Sequence, residues 1–483
     1  MRLSIRQLFL ALLFLGLLIL TTRPIADPDF WWHLRAGEWM VANHSIPHSD
    51  PFSFTVAGKT WVAHEWLSEL FIYLLYRLGS YALLTITFAF IITAAFLLTY
   101  LRCPNESRPY VAGFVLLLGA VATGPTWGVR PQMISLLLTA LFLYLLDRHR
   151  KTPRLRYILA LPAISLIWVN LHGSFPLGFA VIAVYIMGEA IDTVVGITIH
   201  KIPIEVSAFK NVFLLAGVLA LCVLTVLANP NSFRLYPYPF ETLNSPSMQQ
   251  FIQEWASPDF HQFEWQPLAW IFLLIIGTGL LGRKSTSITN ILLVVAFGYA
   301  ALRSMRNIPL FALVAVPVLA EQIGSLVRIK PQIQTRSRWF IWLSAAVFLF
   351  GILAAGLRFI TVIQSQSKTT QETFPAGAAD WILANRPSGN LYNTYGWGGY
   401  LIWRLYPEYR VYIDGRADVY GDKFIFEYLQ IYRAQSDWEK TFSSQGVRLV
   451  VVEPGSGLAL ELRRAPGWAV AYEDQLSVVF TVK

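Results

Sequence analysis

Apolar residues run in blocks along most of the chain, with polar residues gathered in the gaps. Eleven blocks lie at 6–22, 81–101, 110–124, 132–147, 156–170, 174–191, 211–228, 267–282, 287–302, 308–326 and 339–361. Their lengths approach the roughly 20 residues that a helix needs to cross a hydrocarbon core. A twelfth apolar segment, HEWLSELFIYLLYRLG at 64–79, is short and ends in Arg77 and Gly79, so it is expected to lie along the interface. After Arg358 the pattern changes. SQSKTTQETFPAG reads as a polar linker, placed at 364–374. Beyond it, AADWILANRP and DKFIFEYLQIYRAQ predict helices. RVYIDG and VRLVVVEP predict strands, and WAVAYEDQLSVVFTV a closing hairpin. The pattern therefore predicts a polytopic α-helical membrane protein of about 11 spans over 1–363, with an outer loop at 23–80, and a small C-terminal α/β domain over 375–483.

Composition agrees. Of 483 residues, 55% are hydrophobic and 14% charged, where a soluble domain carries about 25% charged. The net charge of +9 does not mark a nucleic-acid binder, because the cations do not cluster on one solvated face. They sit in short loops: Arg2 and Arg6; Arg102 and Arg108; Arg148, Arg150, Lys151, Arg154 and Arg156; Lys201 and Lys210; Arg283 and Lys284; Arg328, Lys330, Arg336 and Arg338. All fall on one side of the alternation, which the positive-inside rule makes cytoplasmic. Eleven spans then put the C-terminus outside. The first block reads as an uncleaved helix, since RPIAD after it lacks a small-residue cleavage site. Cys103 and Cys222 are the only cysteines and imply no disulfide framework or zinc site.

The opposite loops hold the polar and aromatic residues: DPDFWWH, HEW, TGPTWGVRPQ, NLHGS, ANPNSFRLYPYPF, EWASPDFHQFEW and MRNIP. Six of the eight His (33, 44, 48, 64, 172 and 261) are there. Asp27 and Asp29 flank Pro28, which biases Asp27 toward extended backbone. Asp29 can cap the helix that follows, or act as a general base, since partial desolvation raises a carboxyl pKa. Trp31 and Trp32 suit an interface or a sugar face. Glu65 can complement a helix dipole, yet His64 and Glu65 also add a second imidazole and a further acid to the loop holding Asp29 and His33. The ligand types of Asp27, Asp29, His33 and His64 allow a divalent metal, although their spacing does not demand one. Arg130, Arg234 and Arg306 stand at helix ends, where they can snorkel or grip a phosphate bidentately; His172 can donate to the same group. Asp414, Arg416 and Asp418 in YIDGRADVYG fit either an internal salt-bridged turn or a substrate contact.

The arrangement of these motifs resembles the GT-C superfamily of membrane glycosyltransferases. A first span is followed by an outer loop with an acidic motif, DPDFWWHLRAGEWM, then the interfacial HEWLSELFIYLLYRLG, then the second span. Dolichyl-phosphate-mannose protein mannosyltransferases and the lipid A aminoarabinose transferase are similar there, and oligosaccharyltransferases share an outer domain after the last span. NTYGWGGYLIW resembles the WWDYG stretch of the latter but lacks its Asp. The D-x-D-x-x-W-H, H-E-W and I-D-G-R-A patterns are similar to those of a bacterial branch of the superfamily. The resemblance implies inverting sugar transfer from a polyprenyl-phosphate-linked donor to a glycan, lipid or protein acceptor. It places the reaction at the outer face of a bacterial cytoplasmic membrane. It implies that Asp29 or Asp27 deprotonates the acceptor or binds a metal, and that Arg130 or Arg306 holds the phosphate. Three rivals remain open: a lipid-linked glycan ligase or polymerase, expected to carry its polar loop late in the chain; a transporter, expected to carry ionisable groups inside its spans; and a non-catalytic scaffold.

Overall fold

A computed structural model describes residues 5–104, 109–200, 209–282, 286–327 and 338–483. The topology cations Arg2, Arg108, Lys201, Arg283, Lys284, Arg328, Lys330 and Arg336 lie outside the described residues. Each of the eleven predicted blocks falls on one helix. In chain order the helices are α1 (Ile5–Thr21), α2 (Asp29–Asn43), α3 (Trp66–Arg102), α4 (Pro109–Thr123), α5 (Pro131–Lys151), α6 (Leu155–Leu171), α7 (Pro176–His200) and α8 (Lys210–Leu224). They continue with α9 (Tyr238–Asn244), α10 (Pro246–Phe251), α11 (Gln266–Leu281), α12 (Ile288–Arg303), α13 (Ile308–Leu326) and α14 (Arg338–Thr373). Among the described residues, eight helices are long and apolar enough to cross a membrane, and α1, α6 and α12 are shorter apolar helices. This is a multi-pass α-helical membrane protein with a small C-terminal sheet domain.

The interfacial segment and the second span are one helix, α3, bent where Gly79 and Ser80 leave helical geometry; Ser80 has φ 52°. Four of the long apolar helices that start on the face carrying the outer loop begin with proline in the first turn: Pro131, Pro176, Pro267 and Pro309. Proline fits there because it lacks only an N–H that the helix would leave unpaired. Arg130, His172 and Arg306 lie in the short turns just before three of these prolines, so helix geometry gathers them at one level.

Two expectations are corrected. The stretch 364–374 is not a loop, because α14 continues to Thr373. The stretch is polar but has no Gly or Pro before Pro375. Its buried Gln366 pairs with residue 25, donating to the Ile25 carbonyl at 2.9 Å and accepting from the Ile25 N–H at 2.8 Å. RVYIDG does not join the sheet either. Val411 instead bridges the outer loop: Phe54 N–H donates to the Val411 carbonyl at 3.2 Å, and Val411 N–H to the Phe52 carbonyl at 3.1 Å.

The C-terminal domain continues with α15 (Ala376–Asn385), β1 (Asn390–Asn393), α16 (Gly398–Leu405), α17 (Ala417–Tyr420), α18 (Asp422–Tyr432), α19 (Trp438–Gln445), β2 (Val447–Val452), α20 (Gly457–Arg464), β3 (Trp468–Glu473) and β4 (Val478–Val482). The sheet order is β1-β2-β4-β3, with β1 parallel to β2 and the other pairs antiparallel. The domain grips the outer loop through a buried ion pair, Arg416 Nη1 to Asp50 Oδ1 at 2.7 Å. The Arg416 guanidinium also lies over Trp61, 4.6 Å from the ring centre. Trp31, fully buried, meets Tyr400 of α16 edge-on at 5.0 Å. Loop and domain thus share one core.

Candidate active site

A cavity of about 410 Å³ lies between the helix ends and the C-terminal domain. Asp29, His33, His64, Glu65, Arg130, His172 and Arg306 line it, and Arg416 and Asp418 reach it from the C-terminal domain. Arg234 does not: it is exposed on the short turn Ser232–Leu235, away from the wall.

Asp27 and Asp29 have different tasks. Asp27 Oδ1 accepts the Asp29 N–H at 2.9 Å, and Oδ2 accepts from Arg130 Nη1 at 2.8 Å. Asp27, not Asp29, therefore closes the turn into α2. Arg130 in turn grips both carboxylate oxygens of Glu254. Burial opposes charge on Arg130, but Asp27 and Glu254 outweigh it and hold the guanidinium charged. The expected phosphate grip of Arg130 is thus occupied by two protein carboxylates. Asp29 has no ion pair among the described residues. One of its oxygens accepts the Trp32 indole N–H at 3.1 Å. Burial and then the Asp27 charge push its carboxyl up to about 7, against the pull of His33 and Arg130.

The Gly415 backbone of the C-terminal domain lies directly over Asp29. A Cβ at Gly415 would stand 2.0 Å from Asp29 Oδ1, which no side chain tolerates. Gly415→Ala is expected to shift Asp29 and lower activity by about a hundredfold, the scale of an ångström-sized misplacement. Matched far-ultraviolet circular dichroism spectra would separate this from unfolding, and full activity in the variant would refute it.

Glu65 is an anionic hub. Its Oε1 lies 3.0 Å from His64 Nε2 and 3.2 Å from His172 Nε2, and its Oε2 lies 3.5 Å from His33 Nε2. Burial would raise the Glu65 pKa, but His172, His64 and His33 together hold it far below the usual carboxylate range. A carboxylate so held is a fixed charge and not a base. His33 also faces Glu69, with Nδ1 3.6 Å from Oε1. This closeness depends on Gly37, one turn along α2, where a Cβ would meet the Glu69 carbonyl at 2.2 Å. Burial opposes a charge on His33, yet Glu69 and Glu65 raise its pKa.

The two other imidazoles take opposite states. His172 Nδ1 accepts the Ser174 N–H at 3.3 Å and faces Ser135 Oγ at 2.7 Å, so the ring proton sits on Nε2 toward Glu65. Burial leads in holding His172 down at about 3, where it is neutral. His64 finds an acceptor at each nitrogen: Val62 carbonyl at 3.0 Å from Nδ1 and Glu65 at 3.0 Å from Nε2. Burial opposes its charge, but Glu65 and then Asp418 raise it to about 9. A raised imidazole contributes stability that is full below its unfolded value near 6.5 and is lost as pH rises through about 9. The stability difference between wild type and His64→Asn should therefore shrink from pH 6.5 to 9. Thermal unfolding across that range tests it, and a constant difference would contradict it.

Arg306 differs from the other cavity cations. Its guanidinium lies over the Trp255 ring at 4.6 Å, and no carboxylate pairs with it among the described residues. Asp414 and Arg416 form the salt-bridged turn: Arg416 Nη2 meets Asp414 Oδ2 at 2.7 Å, and Tyr420 OH donates to the same oxygen at 2.6 Å. Asp418 is on the cavity wall instead. Burial raises its pKa against the pull of His64 and Arg416.

A metal at Asp27, Asp29, His33 and His64 does not fit these residues. Arg130 already stands against Asp27, and the ring nitrogens of His33 and His64 face protein carboxylates or a carbonyl. Among the described residues no group of three or more His, Cys, Asp or Glu could hold a metal ion.

The sequence reading missed Glu69, Glu254, Trp255 and Tyr238, all on the wall. Glu69 follows Glu65 by one helical turn, a spacing that could have revealed it. Glu254–Trp255 repeats the acid–Trp pair of HEW. Tyr238, whose OH is 3.1 Å from His64 Nε2, carries no such signal.

No family model and no curated protein matches the sequence. Solved structures match over nearly its whole length. The oligosaccharyltransferase AglB from Archaeoglobus fulgidus, in complex with an inhibitory peptide and a dolichol-phosphate, aligns over 92% of this chain and 69% of its own, at 11% identity and TM-score 0.53. ArnT from Cupriavidus metallidurans bound to undecaprenyl phosphate aligns over 98% of this chain and 97% of its own, at 13% identity and TM-score 0.51.

Proposed function

Proceeding from the GT-C glycosyltransferase fold that this chain shares with those two structures, we propose that it moves a sugar from a polyprenyl-phosphate-linked donor to a hydroxyl of a glycan, lipid or protein. The reaction takes place at the outer face of a bacterial cytoplasmic membrane. The N-terminus is then cytoplasmic and the C-terminal domain outside, as the cations at the helix ends away from the cavity support: Arg102, Arg148, Arg150 and Lys151.

One observation carries the reading. A carboxylate, Asp29, and a guanidinium, Arg306, neither of them ion-paired among the described residues, share one cavity at the ends of the membrane helices. Asp29 takes the proton of the acceptor hydroxyl as its oxygen attacks the anomeric carbon. The bond from that carbon to the phosphate oxygen breaks, and its electron pair leaves with the phosphate. Arg306 meets the charge that develops there. Attack from the face opposite the leaving group inverts the anomeric centre. The apolar wall at Met133, Leu136, Leu177 and Leu310 suits the isoprenoid chain.

Deleting the gene should make one polyprenyl-linked sugar accumulate, as read by mass spectrometry of extracted lipids. The wild-type gene should clear it and Asp29→Asn should not. Unchanged lipid-linked sugars and envelope glycans in the deletion strain would refute the proposal.

A further inference from the structure

Polyprenyl-phosphate donors come with one phosphoryl group or two, and the cavity distinguishes them by its free positive charge. We infer, resting on the reading above, that the donor is a monophosphate ester, and that Glu254 enforces this by keeping Arg130 from a second phosphate.

The charges facing the cavity can be followed one by one. Arg416 is held by Asp414 and Asp50. His64 and His33 face Glu65 and Glu69. The terminal nitrogens of Arg130 are held by Asp27 and Glu254, and its Nε is buried without a hydrogen-bond partner among the described residues. Arg306 alone, among the described residues, keeps a guanidinium without a carboxylate. Against it stand the lining acids Asp29 and Asp418, which form no ion pair among the described residues. One phosphate at Arg306 is a charge-assisted fit. A diphosphate adds another negative charge and finds no second cation. To recruit Arg130 it would have to displace Glu254, which grips both terminal nitrogens, and leave that carboxylate beside the incoming phosphates, where like charges repel.

The test is binding of undecaprenyl phosphate and undecaprenyl diphosphate to the full-length protein in nanodiscs, read by intrinsic tryptophan fluorescence. The monophosphate should bind at least about tenfold more tightly than the diphosphate. Arg306→Gln should abolish monophosphate binding without lowering the melting temperature by more than a few degrees. Glu254→Gln should free Arg130 and bring the diphosphate within about threefold of the monophosphate, a gain that a damaged fold cannot produce. Equal or tighter diphosphate binding in the wild type would overturn the inference and leave the transferase reading intact. So would a preference that Glu254→Gln leaves unchanged. Binding of neither lipid would overturn the donor assignment itself.

Discussion

Asp29→Asn is expected to lower kcat by about 10²–10⁴-fold, the usual contribution of a positioned base, while the melting temperature stays close to that of the wild type. The amide keeps the carbonyl oxygen that accepts the Trp32 indole N–H, so local packing survives and only the proton acceptor is lost. Wild-type activity should also carry the signature of this group. Burial and Asp27 place the Asp29 carboxyl near 7, and the ionised form is the base. The rate should therefore rise with pH through about 7. Measuring transfer from a lipid-linked sugar between pH 5 and 9 tests both points. A variant within tenfold of wild type, with the same acid limb, would remove Asp29 from the chemistry.

Glu65→Gln should have the largest effect on stability. The carboxylate is the common acceptor for His64, His172 and His33, and its side chain is 7% exposed. The amide presents one oxygen and a donating nitrogen to three rings. At least one imidazole is then left facing an N–H, and the His64 cation keeps only the more weakly coupled Asp418 carboxylate as a counterion. Removing one member of a buried ion pair typically costs about 3–5 kcal/mol. Reversible unfolding in mixed micelles would measure it. A change below about 1 kcal/mol would mean that water, and not Glu65, satisfies these rings.

These two effects also show where sequence reading succeeds and where it stops. The apolar blocks located eleven helices, eight of them long and apolar enough to cross a membrane, because burial in lipid acts on each segment by itself. Acid and imidazole pairs such as HEW and DPDFWWH flagged Asp29, His64 and Glu65, since such residues are costly beside a bilayer unless something uses them. Partnership was not legible. Asp27 and Arg130 are 103 positions apart, and Arg130 and Glu254 are 124 apart. No local pattern announces that these carboxylates neutralise a cation chosen for phosphate. Strand β1 has only four residues, NLYN, and takes its place by pairing with β2. RVYIDG has strand chemistry, yet outer-loop residues meet Val411 before any sheet neighbour does. Polar residues 364–373 stay helical because Gln366 finds its partner at Ile25, 341 positions away.

The seat of Gly415 over Asp29 has a consequence for biosynthesis. Every membrane helix is translated before residue 415, so a nascent chain halted at Thr373 can insert completely and still leave Asp29 open to water. The pocket closes only when the final quarter of the polypeptide has emerged, folded and settled on the loop made near the start. A chain that stops before residue 415 therefore lacks the wall that Gly415 and Asp418 give the cavity.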